Sequence, residues 1–327
     1  MKAVRYLKKW LVTATSIVVV SGSLMALDVD SNLPTYQKTM GVSGSMKSIG
    51  SDTLNNLMTL WSESFRSFYP SVKVEIEGKG SSTAPPALIQ GTSQFGPMSR
   101  QMKPKEMDAF EKKFGYKPAK IRVAVDALAV FVHKDNPIQS LTLKQLDAIF
   151  SKNRKGGYAK NIRTWGDLGI TGKWARKPIS IYGRNSASGT YGYFKKVALF
   201  KGDYKDTVKE QPGSSAVVQG IASDLFGIGY SGVGYKTADV KTVPLSMDEG
   251  EESFDANAEN AYSGDYPLSR FLYVYVNKNP SRKFDLMQAE FIKFVMSKPG
   301  QQIVIKDGYY PVSNGISKSD KQALDIR

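Results

Sequence analysis

The sequence contains no cysteine and only one histidine, His133. Without thiols there are no disulfides, so stability must come from the size of the core. Cysteine-based catalysis and anchoring through a lipidated N-terminal cysteine are excluded as well. A single histidine rules out a His-rich zinc site. A Ser–His–Asp triad would have to use His133, which ends an apolar strand pattern with no nucleophile-elbow motif beside it, so a structural role is expected. Beyond residue 26 no segment approaches the roughly 18 apolar residues of a membrane span. Internal repeats and extended low-complexity tracts are also lacking. What remains is ordinary globular material, 41% hydrophobic and 23% charged. Its 327 residues suit two lobes of ordinary domain size better than one small core.

The first 26 residues differ from the rest. Lys2, Arg5, Lys8 and Lys9 precede a mostly apolar run from Trp10 to about Ala26. This is the layout of a secretory signal peptide, with cleavage expected near Ala26. The rival reading, an uncleaved anchor, is weaker because the run is short for a span and is interrupted by Thr13, Thr15, Ser16, Ser21, Gly22 and Ser23. The expectation is an exported protein, free in a periplasm. Residues 27–45 are polar and aperiodic, and they are expected to form a flexible leader before the folded part. The formal charge is +15, and without residues 1–26 there are 41 basic against 30 acidic side chains, or +11. Such a field draws in small anions. The basic residues are scattered in short groups such as residues 152–155, so a nucleic-acid partner is not expected.

Strand and helix patterns alternate along the chain, which predicts an α/β fold. Leu54, Leu57, Met58, Trp61, Phe65 and Phe68 recur at helical spacing and read as core. Val72, Val74 and Ile76 alternate as in a strand. Two long apolar stretches, Ile121–His133 and Phe271–Val276, are candidate crossings between lobes. The predicted division is 46–125 plus 272–327 for one lobe and 126–271 for the other. A single helix ending in a loop around Tyr309 and Tyr310 is expected near the C-terminus.

Three loops share one design, a strand followed by a short Gly/Ser/Thr loop and then a helix. They lie at Gly50–Thr53, Gly80–Thr83 and Ser188–Thr190. The first N–H groups of a helix have no intrahelical partner, and the macrodipole places partial positive charge there. Glycine permits close approach, and hydroxyls cap the helix or donate to a ligand oxygen. One such loop alone reads as ordinary capping. Three of them, with Arg184 four residues before Ser188, point to an oxyanion, because guanidinium offers a planar fork of donors.

The segments GSDTLNNLMTLW, EGKGSSTAPPALIQGTSQFGPMSR and GRNSASGTYGYF resemble those of the phosphate-binding proteins of ABC transporters. The stretches VAVDALAVFVHKDNP and FLYVYVNKNP extend the resemblance over about residues 46–316. It implies a type II periplasmic binding fold, two lobes joined by two crossing strands, which closes over phosphate and hands it to an inner-membrane permease. It implies no enzymatic turnover, metal or cofactor, and a monomer. By position it places Ser81 and Ser82 in the Gly-Ser-Ser loop, and Arg184, Ser188, Gly189 and Thr190 as the Arg and Ser-Gly-Thr ligands. Ser51, Asp52 and Thr53 fall in the first binding loop. Well-known members carry a proton-accepting aspartate where this chain has Ser99, followed by Arg100. Asp52 is then the candidate acceptor, with capping of the following helix as its plain alternative. Phosphate near neutral pH can donate a hydrogen bond and sulfate cannot, so a carboxylate facing the ligand separates the two.

The same residues also suit another oxyanion such as sulfate, molybdate or a phosphonate, or a secreted adhesive or scavenging protein reusing the fold; a phosphatase is disfavoured, because the chain lacks a recognisable nucleophile or metal-ligand set. Gly227, Gly229 and Gly232 match G-x-G-x-x-G, but no helix pattern follows, so a tight strand is expected. The acidic stretch Asp248–Asp255 lacks a calcium-loop pattern and reads as a solvated loop. Tyr262, Tyr266, Tyr273 and Tyr275 read as packing rather than a stacking platform.

Overall fold

The computed structural model describes residues 27–326. The predicted signal peptide lies outside the described residues. In chain order the first half contains β1 (Gly44–Ile49), α1 (Asn55–Phe68), β2 (Val72–Glu77), α2 (Ala84–Gln90), β3 (Phe95–Met98), α3 (Pro104–Phe114), β4 (Ala119–His133), β5 (Leu141–Thr142) and α4 (Leu143–Phe150). Then follow β6 (Ser180–Arg184), α5 (Gly189–Val197), β7 (Lys209–Gln211), α6 (Ser214–Ala222), β8 (Gly227–Gly232), β9 (Val240–Thr242), β10 (Leu245–Ser246), α7 (Ala258–Ser263), β11 (Ser269–Val276), α8 (Leu286–Val295), α9 (Lys298–Lys306) and α10 (Asn314–Gln322).

The strands run in the order β2-β1-β3-β11-β4-β8-β6-β7, with β9 also on β4. At one end β1 pairs in parallel with β2 and β3, and at the other β6 pairs in parallel with β7 and β8. The long strand β4 joins the two groups. Its first part pairs with β11, and Leu128–Val132 pair with β8. Residues 123–132 of β4 are all buried, as expected for an apolar strand covered on both faces.

Two cores flank this crossing. One contains Leu57, Trp61, Phe65, Phe95, Val123, Leu272 and Phe291. The other contains Leu128, Val130, Phe150, Trp165, Phe194, Val218 and Tyr230. The chain passes from the first to the second along β4. It returns at the start of β11, between Leu268 of the second core and Leu272 of the first. A third contact lies at the boundary, where Val125 and Tyr310 exchange two backbone hydrogen bonds of 2.8 and 3.0 Å. This two-lobed α/β architecture, crossed by β4 and β11, is the one the resemblance implies.

Two expectations need correction. Residues 27–43 are not a loose leader but a strap laid along the first lobe. Val29, Leu33, Tyr36 and Val42 are buried. Tyr36 Oη lies 2.7 Å from Tyr69 Oη and donates to Glu290 Oε2 at 2.9 Å, and Lys298 N donates to Pro34 O. Val29, Leu33 and Tyr36 stand at helical spacing, yet the segment is polar between them and carries Pro34, and no helix forms. The C-terminal region holds three helices rather than one. Pro299 sits in the first turn of α9, where it forfeits no helical hydrogen bond. The acidic stretch is followed by α7, whose start is capped by Asn257 accepting from Asn260 N.

Candidate functional site

The Gly/Ser/Thr loops converge because the strands that feed them are parallel. The carboxyl ends of β1, β2, β3 and β6 bring Thr53, Ser81, Ser99 and Ser188 to the crevice between the lobes, where ligands bind in open α/β sheets. Thr53, Ser81, Ser99 and Thr190 are essentially inaccessible to solvent. Their hydroxyl oxygens form a chain: Thr53 to Thr190 is 3.0 Å, Thr190 to Ser99 is 3.4 Å and Ser99 to Ser81 is 3.3 Å. Thr190 comes from one lobe and the other three from its neighbour.

Local bonds orient these hydroxyls. Ser81 Oγ accepts from Ser99 N at 3.0 Å. Thr190 Oγ1 accepts from Arg270 Nη2 at 3.0 Å. Ser188 Oγ caps α5 by accepting from Thr190 N and Tyr191 N. Each of these oxygens already accepts a bond and keeps a hydroxyl hydrogen that it can give to a neighbouring oxygen or to a ligand. The site therefore presents donors to whatever lies between the lobes.

Two glycines are required by this closeness. A Cβ on Gly189 would overlap Ser81 Oγ and lie 2.6 Å from Ser99 Oγ. Gly80 has φ 111°, and a Cβ there would lie 2.6 Å from Ala187 O of the other lobe. Across the same seam Ser82 N donates to Ala187 O at 3.1 Å.

Arg184 ends β6 and is 1% exposed. Its Nη1 donates to Ser214 Oγ at 2.7 Å and lies 3.1 Å from Asp52 Oδ2, and Nη2 donates to Pro212 O. Its Nε has no partner among the described residues. Burial pushes the guanidinium's pKa down from its ordinary value, and Asp52 opposes that.

Asp52 is placed differently from the capping expectation. It does not cap the helix it precedes. It reaches across to the other lobe, where Oδ2 accepts from Ser214 N, the first residue of α6, at 2.7 Å and pairs with Arg184. A carboxylate at that helix start complements the dipole, and the same oxygen is taken by two donors. Asp52 thus acts as an interlobe clasp.

The remaining predicted residues are at the rim of the cluster. Ser51 is buried, with its N donating to Pro97 O, and its side chain makes no capping bond. Ser82 Oγ accepts from Arg100 Nη2, whose guanidinium is held by Glu106 in a two-pronged pair of 2.7 Å bonds.

One pair was missed by sequence reasoning. Asp126 and Arg270 are register partners on β4 and β11. Asp126 Oδ2 accepts from Arg270 Nε and Nη2 at 2.9 and 2.7 Å, and its Oδ1 accepts from Val233 N. Arg270 Nη1 also donates to Ser99 O at 2.9 Å. This arginine therefore holds Ser99 of one lobe and Thr190 of the other. The available signal was Asp126 itself, an acid in an otherwise apolar run, which requires a buried partner.

The signals set aside have structural explanations. Gly227–Gly232 is strand β8, buried throughout, and Cβ atoms on Gly229 and Gly232 would strike Tyr182 O and Tyr309 Oη. His133 accepts from Asp135 N at the far end of β4.

Comparison with known proteins accords with this geometry. Residues 37–299 match the model of the PBP superfamily domain. The phosphate-binding protein PstS of Pseudomonas aeruginosa is 57% identical over 321 residues, covering 98% of this chain and 99% of that protein. The phosphate-binding protein PstS of Staphylococcus epidermidis is 29% identical over 98% of this chain and 93% of its own length. A solved structure from Clostridium perfringens, assigned as a phosphate ABC transporter substrate-binding protein and carrying bound phosphate, superposes with a TM-score of 0.70. It is 26% identical and covers 83% of this chain and 100% of its own.

Proposed function

Because the chain belongs to the PBP superfamily and, within it, to the family of phosphate-binding proteins named PstS, we propose that it captures inorganic phosphate in the periplasm and delivers it to the permease of an ABC transporter. The observation that carries this reading is the chain of buried hydroxyls across the lobe seam, with Arg184 beside it.

Thr53, Ser81, Ser99, Ser188, Gly189 and Thr190 supply donors, and Arg184 supplies charge. Ser51 and Ser82 shape the loops, and Asp52 positions Arg184. The charges near the cluster are paired: Arg184 with Asp52, Arg270 with Asp126, Arg100 with Glu106. The anion is then balanced chiefly by dipoles, which permits tight capture and later release. Closure about the crossing strands buries the ligand and gives the permease a distinct shape to recognise. The lobes run over 46–125 with 272–327 and over 126–271. The protein is exported by its N-terminal leader, acts as a monomer, performs no turnover and needs no metal or cofactor.

Phosphate retains a proton near neutral pH and needs one acceptor. Asp52 Oδ2 is engaged by Arg184 and Ser214, so the acceptor is either Asp52 Oδ1 or the hydroxyl of Ser99 or Thr53, each of which can accept as well as donate. The test is calorimetric titration of phosphate-stripped mature protein with phosphate, sulfate and arsenate. One-to-one phosphate binding of micromolar strength or better, about 8 kcal/mol or more, is expected. Absence of heat with phosphate from folded, ligand-free protein would overturn the proposal.

A further inference from the structure

A groove of about 1230 Å³ lies on the first lobe, lined by none of the residues of the interlobe site. It is bounded by the loop at residues 280–284, the end of α8, α10 and the chain end at residues 325–326. Five cations face it: Arg282, Lys283, Lys293, Lys318 and Lys321. One acid, Asp325, lies among them, 3.5 Å from Lys278 Nζ. Lys293 is paired with Glu290 at 2.7 Å, and Glu290 also accepts from Tyr36. Among the described residues Arg282, Lys283, Lys318 and Lys321 have no carboxylate at ion-pairing distance.

Such an arrangement costs stability. Lys318 and Lys321 stand three residues apart on α10, a like-charge pair on one face. Burial, then Lys293 and Lys318, lower the pKa of Lys321 from its ordinary value. A fold does not require four unpaired cations around one groove, whereas a ligand carrying several negative charges relieves their repulsion at once.

We propose that this groove is a second anion site, which takes a multivalent array of phosphate groups. That chemistry is offered by a linear condensed phosphate or by the phosphodiester headgroups of an anionic membrane surface. The probes are tripolyphosphate and vesicles of phosphatidylglycerol, with phosphatidylcholine vesicles as control. The mature protein is first saturated with orthophosphate, so that the interlobe site does not report. The variant is Lys318→Glu with Lys321→Glu. Its orthophosphate affinity is expected to match the parent, because neither residue touches the cleft, and its unfolding temperature to be no lower, because the excess of like charge around the groove is relieved. Tripolyphosphate binding at least about tenfold weaker in the variant supports the proposal and names condensed phosphate as the source. Recruitment of the parent but not the variant to phosphatidylglycerol vesicles, without tripolyphosphate binding, supports it and names the membrane. Binding that is equal in parent and variant for every probe bound, or no binding to either probe, overturns it.

Discussion

Replacing Arg270 by methionine tests how far the interlobe site depends on a residue that is not a predicted ligand. The substitution roughly conserves the stem and removes all the donors of the guanidinium. Asp126, fully buried, then loses both bonds to its Oδ2 and keeps only Val233 N on Oδ1. Breaking a buried ion pair from one side costs about 3–5 kcal/mol, because the surviving charge is stranded. For a chain of this size each kcal/mol lowers the melting temperature by roughly 2 °C, so a loss of about 6–10 °C is expected by circular dichroism. Adding Asp126→Asn removes the stranded charge and should recover part of that loss, which separates an electrostatic cause from lost packing. Phosphate affinity should fall at least about tenfold in both variants, because Ser99 O and Thr190 Oγ1 lose the donor that aligns them. Arg270→Met within about 1 kcal/mol of the parent, or a double variant no more stable than the single, would refute the reasoning.

Arg184→Ala should weaken phosphate binding by about 3 kcal/mol or more by calorimetry, since it removes the charge-assisted donors beside the cluster; unchanged affinity would remove Arg184 from the site. Ser99→Asp should raise the ratio of phosphate to sulfate affinity at least about tenfold at neutral pH, because a carboxylate accepts the phosphate proton and repels sulfate; an unaltered ratio would mean that Ser99 does not face the ligand. Asp307 has its pKa pushed up from 3.8 to about 6 by burial, against the bond from Asn56. The folded state therefore holds this proton more tightly than the unfolded chain does. The group leaves stability undiminished below the unfolded pKa and lowers it as pH rises to about 6, by roughly 3 kcal/mol in all. Asp307→Asn should accordingly gain stability over the parent between pH 4 and pH 6 in denaturant titrations; a constant difference across that range would refute the assignment.

What was legible in the sequence was what is local. Glycine, serine and threonine after a strand announce a helix start, and Arg184 stands only four residues before Ser188, so the loops were found by their own chemistry. The pairings between lobes were not local. Asp52 reads as a cap because aspartate before a helix usually is one, and its true partners, Arg184 and Ser214 N, lie far along the chain. Arg270 opens the strand pattern RFLYVYV and looks like an edge charge; only its register against Asp126 turns it inward. The strap over residues 27–43 escaped because its few apolar residues, three of them at helical spacing, are set among polar residues and Pro34 that read as a loop, although Tyr36 is wedged between Phe68 and Phe294. Periodicity detects regular elements, and this contact is between a segment with none and the surface that receives it.

The charge of the chain and the charge of the site belong to different parts of the molecule. A surplus of +15 suggests a site built on cations, yet around the hydroxyl cluster each arginine has its own carboxylate. Salt screens exposed charges and barely touches a dry network of hydroxyls and backbone groups. The surplus acts outside, where it raises the local concentration of anions and speeds encounter. It follows that ionic strength should govern the rate of capture, while release is governed by the hydrogen bonds inside the closed cleft. Separating the two in this way lets a strongly basic surface gather anions of every kind without deciding which of them is retained.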